Sequence, residues 1–294
     1  MRSPVFASAL ESMRKEGSLT FGPMEFNRYL RECHLGAVRT WASISIDSID
    51  RLPSELRNSR CMVFRLGAAE NGDGTQFALA RCIDGWSDYF LIDDDIFSAC
   101  AIEPYRSSRS PQDLLAFELL PQLTESSYVN LAIASGLLGY ALGIDEGQAL
   151  IPATSQSAAT FEVRAHREIP GGWLHRRGQV EIDSVFIARR SGARALFVVE
   201  AKRDSSKPLS LAKHKLVYPV LAMQQKAPGQ LPIVPVMLRA SVCEDGILFS
   251  IAECAFPPGS HAISDLEAIP GRAMKIRLTG CGSGESMTGP SGSR

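Results

Sequence analysis

Apolar and polar positions follow two different periods in the first third of the chain. Residues 4–16 and 23–33 carry apolar side chains at helical spacing, and residues 45–56 predict another short helix. Runs at 61–66 and 76–82 have the composition of strands. The loop between them is rich in Gly, Asn and Asp, which is typical of a β-hairpin.

A third short strand is expected at 88–92. Helices followed by a hairpin are similar to a winged-helix arrangement, so residues 1–100 are predicted to form a smaller α+β domain. This domain would serve either DNA recognition or interaction and dimerisation. Ser and Pro then cluster in residues 101–112, which predicts a linker.

Beyond the linker the patterns alternate between helix and strand. Helices are predicted at 111–123, 124–142 and 209–223, and Thr124 is the expected N-cap of the second. Strands are predicted at 159–165, 178–188, 193–201, 231–240 and 246–252. The run at 193–201 is almost entirely apolar, as expected for a strand covered on both faces. Residues 113–279 therefore predict an α/β domain, and the Gly/Ser-rich segment 280–294 a disordered tail.

Composition narrows the class of protein. Hydrophobic residues make up 45% of the 294 residues, enough for a core without disulfides. No run approaches the ~20 apolar residues that cross a bilayer, and the first residues lack the apolar stretch of a signal peptide. We therefore expect a cytoplasmic protein with no membrane partner. The seven cysteines are widely spaced with no CxxC pair, which argues against zinc and favours free thiols.

Charge is unevenly distributed, although the formal net charge is only −1. Residues 151–220 hold twelve Lys plus Arg against six acids. A basic segment around acidic residues suits a polyanion whose phosphates approach a bound metal ion. A solvated charged surface is the alternative interpretation.

Two carboxylates and a lysine lie on neighbouring predicted strands. Asp183 follows Val180 and Ile182, and Glu200 and Lys202 end the apolar run. The period of two in a strand places Glu200 and Lys202 on one face, with Ala201 between them. Carboxylate and carbonyl oxygens are preferred Mg²⁺ ligands, and a bound ion can orient and activate water for phosphodiester hydrolysis. The competing hypothesis is a structural ion-pair cluster.

These motifs resemble those of the PD-(D/E)XK nuclease superfamily. Glu181-Ile182-Asp183 matches its first strand motif, and Glu200-Ala201-Lys202 matches its second. Upstream, the segment from Glu125 to Ala132 is similar to the helix that carries a further metal-site acid in restriction-type members. Downstream, Lys215-Leu216-Val217-Tyr218-Pro219 is similar to a Gln-Leu-Tyr-Tyr-Pro element, with lysine where glutamine is expected.

The resemblance implies a restriction-endonuclease-like core, in which helices flank a mixed central sheet. It also implies that Asp183, Glu200, Glu125 and the Ala201 carbonyl bind Mg²⁺, which Mn²⁺ would replace. Lys202 would assist the attacking water. A helix-dipole role at the start of its helix is the alternative for Glu125.

Further residues are candidates for supporting roles. Side chains expected to support the metal ligands are Gln179, Glu181 and Glu162. Residues expected to contact nucleic acid are Arg176, Arg177, Lys213, His214 and Lys215.

The sequence-based hypothesis is thus a Mg²⁺-dependent DNA endonuclease of restriction or phage defence, acting as a possible homodimer because both strands must be cut. One alternative is a nuclease fold kept as a non-cutting DNA-binding or complex-forming module. Another is a repair or RNA-directed nuclease with the same site.

Overall fold

A computed structural model describes residues 4–70, 74–203, 210–229 and 231–279. The predicted disordered tail at 280–294 lies outside the described residues, as does most of the Asn/Asp/Gly part of the hairpin loop. The helices and strands below are those of the described residues.

The helices are α1 (Ala7–Glu16), α2 (Phe26–Glu32), α3 (Thr40–Ile44), α4 (Ser54–Asn58), α5 (Asp93–Phe97), α6 (Pro111–Glu118), α7 (Glu125–Ala134), α8 (Leu137–Ala141) and α9 (His214–Gln224). The strands are β1 (Thr20–Glu25), β2 (Cys61–Ala68), β3 (Thr75–Arg81), β4 (Phe90–Ile92), β5 (Ile102–Arg106), β6 (Ala153–Val163), β7 (Trp173–Arg190), β8 (Ala193–Arg203), β9 (Ser210–Ala212), β10 (Ile233–Cys243), β11 (Gly246–Ala255) and β12 (Glu267–Thr279).

A large mixed sheet organises the described residues. Its strand order is β1-β3-β2-β7-β8-β10-β11-β12-β5, and β6 pairs with β7 outside this path. The pairs β7–β8, β10–β11 and β11–β12 are antiparallel, whereas β8–β10 and β12–β5 are parallel. A short β4–β9 pair forms a second sheet. The expectation of a mixed central sheet flanked by helices is confirmed.

Strand β8 is buried on both faces, as its apolar run predicts. Leu196 and Val198 belong to one hydrophobic cluster together with α9, and Phe197 and Val199 belong to another together with α7 and α8. Helices on both faces of the sheet explain why this strand lacks an apolar–polar alternation.

Glycine ends the predicted 124–142 helix early. Thr124 is the N-cap of α7, and its side chain accepts a hydrogen bond from the Ser127 N–H, as expected. Gly136 has φ +82°, a left-handed conformation that favours glycine, and it separates α7 from α8. The helical spacing on either side of Gly136 does not reveal this break.

Several predicted elements differ in the structure. The predicted 45–56 helix is replaced by a single 3-10 turn at Ile49–Arg51 and the start of α4. The start of the predicted 209–223 helix is instead β9. The strand expected at 88–92 is shorter, Phe90–Ile92, and pairs with β9. Part of the expected linker forms β5, an edge strand beside β12.

The predicted hairpin is confirmed, because β2 and β3 pair antiparallel. The hairpin joins the rest of the large sheet through one backbone pair, Gly67 of β2 with Arg176 of β7. Gly67 has φ +82°, and a Cβ there would collide with the Arg176 carbonyl and the Gly178 backbone. Only glycine allows the backbones of β2 and β7 to approach this closely. Through this contact the sheet includes strands from both sides of the domain boundary expected at residue 100.

Candidate active site

Asp183 lies in an irregular stretch of β7. From the pair Ala153–Val185 to the pair Ser155–Ile182, the register moves by two residues along β6 but by three residues along β7. The extra residue is a β-bulge, a feature that re-aims side chains and is common beside active sites. On the other side β7 runs antiparallel to β8, and the last pair before the site is Ser184–Val199.

A backbone hydrogen bond fixes the Asp183 carboxylate against β8. The Ala201 N–H donates to Asp183 Oδ2 at 2.8 Å. Burial raises the pKa of Asp183, while the bond from Ala201 and the charge of Lys202 act in the opposite direction. Asp183 therefore stands beside the Glu200-Ala201-Lys202 segment, as the sequence predicts.

The Lys202 amino group is the centre of the cluster. Its Nζ lies 3.0 Å from Glu200 Oε1 and 3.0 Å from Glu125 Oε2. It also donates to the Ala201 carbonyl oxygen at 3.0 Å. Three oxygens predicted as metal ligands thus share one ammonium group.

Burial dominates the electrostatics of this cluster. Glu200 is only 4% exposed, and burial raises its pKa to about 7 against the opposing charge of Lys202. Burial by itself lowers the pKa of Lys202, but the carboxylates of Glu200, Glu125 and Asp183 outweigh it, so that pKa lies above its usual value. The Lys202 ammonium and the Glu200 carboxylate thus each favour the charged form of the other.

Glu125 reaches the cluster from a different element. It is the first residue of α7, directly after the Thr124 cap, and its side chain is 40% exposed. The first turn of a helix favours a carboxylate, so the dipole role is compatible with this position. The contact with Lys202 shows that Glu125 also belongs to the cluster, as the resemblance implies.

The oxygens of the cluster suit a hard divalent cation, which prefers carboxylate and carbonyl ligands. Among the described residues, however, the ligand oxygens of Asp183, Glu200 and Glu125 do not all lie within 4.8 Å of one another. The Lys202 ammonium lies among these oxygens, 3.0 Å from both Glu200 and Glu125. The residues fit an ion by their chemistry, and the lysine balances the acids without one.

The three predicted supporting residues have different surroundings. Glu181 is exposed, accepts hydrogen bonds from Gln156 and Gln179 at 3.0 Å, and lies 4.0 Å from the Lys215 Nζ. Glu181 and Gln179 thus border the cluster. Glu162 is exposed on β6 and pairs in register with Leu174, far along β7 from Asp183, so it does not reach the site.

The predicted nucleic-acid contacts divide into surface and interior residues. Arg176 pairs with Glu70 at 3.1 Å, and Arg177 is exposed within β7, where its φ of 44° is left-handed. Lys213 and His214 are only 4% and 5% exposed. Burial lowers the pKa of Lys213 to about 8 and that of His214 to about 3, so neither is placed where a duplex backbone would reach it.

Sequence reasoning missed a second acidic group. The ligand atoms of Asp84, Asp88 and His166 lie within 4.8 Å of one another. His166 Nδ1 accepts the Glu168 N–H at 3.1 Å, which leaves the ring proton on Nε2, facing Asp88 Oδ1 at 3.9 Å. Asp88 Oδ2 already accepts two backbone N–H groups. This arrangement stabilises a turn and is poorly suited to metal binding.

Fold and site together define a mixed α/β protein with a buried acid–lysine cluster where two antiparallel strands meet. Residues 96–269, more than half of the chain, match the model of a family described as a domain of unknown function, DUF6997. The chain belongs to this family, and the matched region contains Glu125, Asp183, Glu200 and Lys202. Comparison with curated proteins and with solved structures finds no match. Among the described helices, none is long and apolar enough to cross a membrane.

Proposed function

We propose that this chain is a metal-dependent nuclease that hydrolyses phosphodiester bonds of DNA, with a restriction-endonuclease-like core. The observation that carries the proposal is the Lys202 amino group, 3.0 Å from both Glu200 and Glu125, beside an Asp183 carboxylate fixed on the Ala201 N–H. These residues lie in one cluster, whereas along the sequence only the superfamily pattern connects them.

Each residue has a role that follows from its surroundings. Asp183, Glu200, Glu125 and the Ala201 carbonyl would hold the ion, and bound Mg²⁺ or Mn²⁺ would supply charge compensation and a more acidic water. Asp183 keeps a fixed direction because Ala201 holds its Oδ2. The ammonium of Lys202 would hydrogen-bond the attacking water or a phosphate oxygen.

The test is a cleavage assay on purified protein. Wild type is incubated with supercoiled plasmid, linear duplex, single strands, branched DNA and RNA, each in Mg²⁺, Mn²⁺ or EDTA. We expect cutting of DNA that depends on the divalent ion and is lost in Asp183→Asn and Lys202→Ala. The matched control is Glu162→Gln, an exposed acid on β6 outside the cluster, which should cut like wild type.

Full cutting by both the Asp183 and Lys202 variants would refute the assignment of the site. Preferred cutting of RNA or of branched DNA would instead support the repair or RNA-directed alternative.

A second candidate function is a non-cutting DNA-binding module. It is favoured by the position of Lys202, whose ammonium already neutralises the carboxylates and would make the cluster purely structural. This candidate predicts that wild type binds duplex DNA but leaves it intact in every divalent ion.

A restriction or phage-defence setting, and a homodimer that cuts both strands, belong to the first proposal.

A further inference from the structure

A cavity of about 310 Å³ is lined by residues of β2, β7 and α9, among others. Strand β2 supplies Arg65, and α9 supplies Lys215. Strand β7 supplies Gln179 and Glu181. Arg65 precedes residues 96–269, which match the family model, whereas the other three lie within them. The cavity therefore combines side chains from both parts of the chain.

Arg65 carries a positive charge that no carboxylate of the described residues balances. The residue is half-buried, yet its guanidinium makes no ion pair or hydrogen bond with the described part of the chain. Only its Nε is fully enclosed, so its two terminal nitrogens are the ones that keep accessible surface. Two other half-buried arginines of the sheet, Arg190 and Arg277, each pair with a carboxylate. A partly desolvated cation is stabilised by an anion, and a ligand would supply the anion that Arg65 lacks.

Two contacts fix Arg65 beside the first turn of α9. The Tyr218 hydroxyl donates a hydrogen bond to the Arg65 carbonyl oxygen at 3.2 Å. The rings of Phe64 and His214, the neighbours of Arg65 and Lys215 in sequence, meet edge to face with centroids 6.0 Å apart. The backbone of β2 at Arg65 is thus held against the helical turn that carries Lys215.

Lys215 lies both at the cavity and near the acid–lysine cluster. Its side chain is 27% exposed, and its Nζ approaches Glu181 Oε2 only to 4.0 Å, the limit of an ion pair. Burial raises the pKa of Asp183 and that of Glu200, and the charge of Lys215 acts on both in the opposite direction. Lys215 is therefore near enough to the acids to influence them, while its ammonium makes no hydrogen bond with the described residues.

The remaining polar groups leave the charge of the cavity positive. Burial lowers the pKa of His214 to about 3 and that of His175 to about 4, so both imidazoles are uncharged at neutral pH. The ionised side chains of the wall are then Arg65 and Lys215 against Glu181, whose side chain is 53% exposed. A concave surface of this charge favours an anionic ligand.

We propose that Arg65 and Lys215 together bind one backbone phosphate of the nucleic acid that is cut at the acid–lysine cluster. The guanidinium of arginine matches two phosphate oxygens, and the lysine ammonium adds a point charge. This phosphate would lie close to the scissile one on the same strand, because Lys215 also influences the acids. The sequence predicts a nucleic-acid contact for Lys215, but nothing in it indicates Arg65. The identity of the anion rests on the proposed nuclease function, whereas the two cations at the cavity do not.

The first experiment measures how DNA binding in EDTA depends on salt. Full-length protein is titrated into a fluorescein-labelled duplex between about 0.05 and 0.2 M salt, because each neutralised phosphate contributes about 0.9 to the slope of log K against log salt. We expect the Arg65→Ala, Lys215→Ala double variant to bind on the order of tenfold more weakly and to lose about one unit of this slope. Two duplexes of unrelated sequence should show the same loss, since phosphate contacts carry no sequence information.

Single variants and a control assign the effect to these two side chains. Arg65→Ala and Lys215→Ala should each weaken binding, and Arg65→Lys should keep most of the slope because the charge remains. Arg57→Ala is the matched control, an exposed arginine of α4 outside the cavity, and it should bind like wild type. Melting temperatures identify variants that are unfolded. If Arg65→Ala does not fold, Lys215→Ala and Arg65→Lys test the same contact.

Four results would overturn the proposal. They are an unchanged slope in the folded double variant, a loss confined to one of the two sequences, a loss of about two units, and no binding of either duplex by wild type. A loss of two units would mean that the cations contact separate phosphates. A purely structural role for Arg65 would lower the melting temperature and leave the slope unchanged.

A cutting assay in Mg²⁺ and Mn²⁺ separates this proposal from the nuclease proposal. If wild type shows the expected binding but leaves every nucleic acid intact, the nuclease is refuted and the phosphate contact stands. If wild type cuts DNA but the double variant keeps the salt slope of wild type, the phosphate contact alone is refuted.

Discussion

Replacing Lys202 by methionine removes the ammonium that contacts two carboxylates and preserves most of the side-chain volume. Glu200 then keeps a side chain only 5% exposed with no cation at 3.0 Å. Removing one partner of a buried ion pair costs about 3–5 kcal/mol. The contact to Glu125 adds little, because that side chain is 40% exposed and such pairs contribute at most about 1 kcal/mol.

Protonation of Glu200 limits the loss of unfolding free energy and makes that loss depend on pH. In wild type the pKa of Glu200 is about 7, and without Lys202 it rises further. Above pH 7 the folded variant then binds a proton that folded wild type has released, so the variant loses stability relative to wild type as the pH rises. We expect a loss of about 3 kcal/mol at pH 8 that shrinks by about 1–2 kcal/mol at pH 6.

Urea unfolding in EDTA, followed by circular dichroism at both pH values, measures these differences. Lys226→Met is the matched control, because Lys226 is exposed after α9 and should change the unfolding free energy by less than about 0.5 kcal/mol. The Glu200→Gln, Lys202→Met double variant should lose the pH dependence. Equal stability of Lys202→Met and wild type at pH 8, or purely additive effects in the double variant, would refute the coupling between the two side chains.

Three further predictions concern the fold. Burial lowers the pKa of His175 to about 4 and that of His214 to about 3, from an ordinary 6.5, so the unfolded chain binds protons first as the pH falls. Stability relative to a His175→Gln variant should drop by about 1.4 kcal/mol between pH 7.5 and 5.5 in urea unfolding, and a flat difference would contradict this. Gly67→Ala should destabilise by more than about 2 kcal/mol through backbone collision, whereas Gly17→Ala, with φ +64° and open space, should show only the smaller conformational cost in thermal melts. Thr124→Ala should cost about 1 kcal/mol by loss of the cap, and an unchanged melting temperature would speak against it.

The sequence predicts the parts of the fold and site that depend on local periodicity. The apolar run ending at Glu200 identifies β8, and the period of two correctly brings Glu200 and Lys202 together. Alternation likewise identifies the half of β7 that carries Asp183. These residues are close in sequence or on paired neighbouring strands, so local patterns contain the needed information.

Non-local contacts escape the same reasoning. Glu125 lies 77 positions from Lys202, and nothing in the periodicity of α7 indicates their contact, which only the superfamily resemblance implied. The bulge at Asp183 depends on pairing with β6. The sequence predicts that Lys213 and His214 contact nucleic acid, although the fold buries both side chains.

A cavity lined by Trp41, Arg65, His175 and His214, among others, could not be predicted from the sequence either. Its wall joins Trp41 and Arg65 to residues of β7 and α9 more than a hundred positions later. No short motif encodes such a wall, because its members share no spacing and come from separate elements.

The edge strand β5 has a consequence for how the protein can be shortened. The clustering of Ser and Pro predicts a linker here, yet the residues of β5, including Pro104, pair parallel with β12 through Lys275–Thr279. Proline is tolerated on an edge strand and discourages a further strand from adding there. A chain that began at residue 113 would lack this cover and present the backbone of β12 to other molecules. Such a fragment would be prone to aggregate, so a soluble fragment that keeps the central sheet should begin before Ile102.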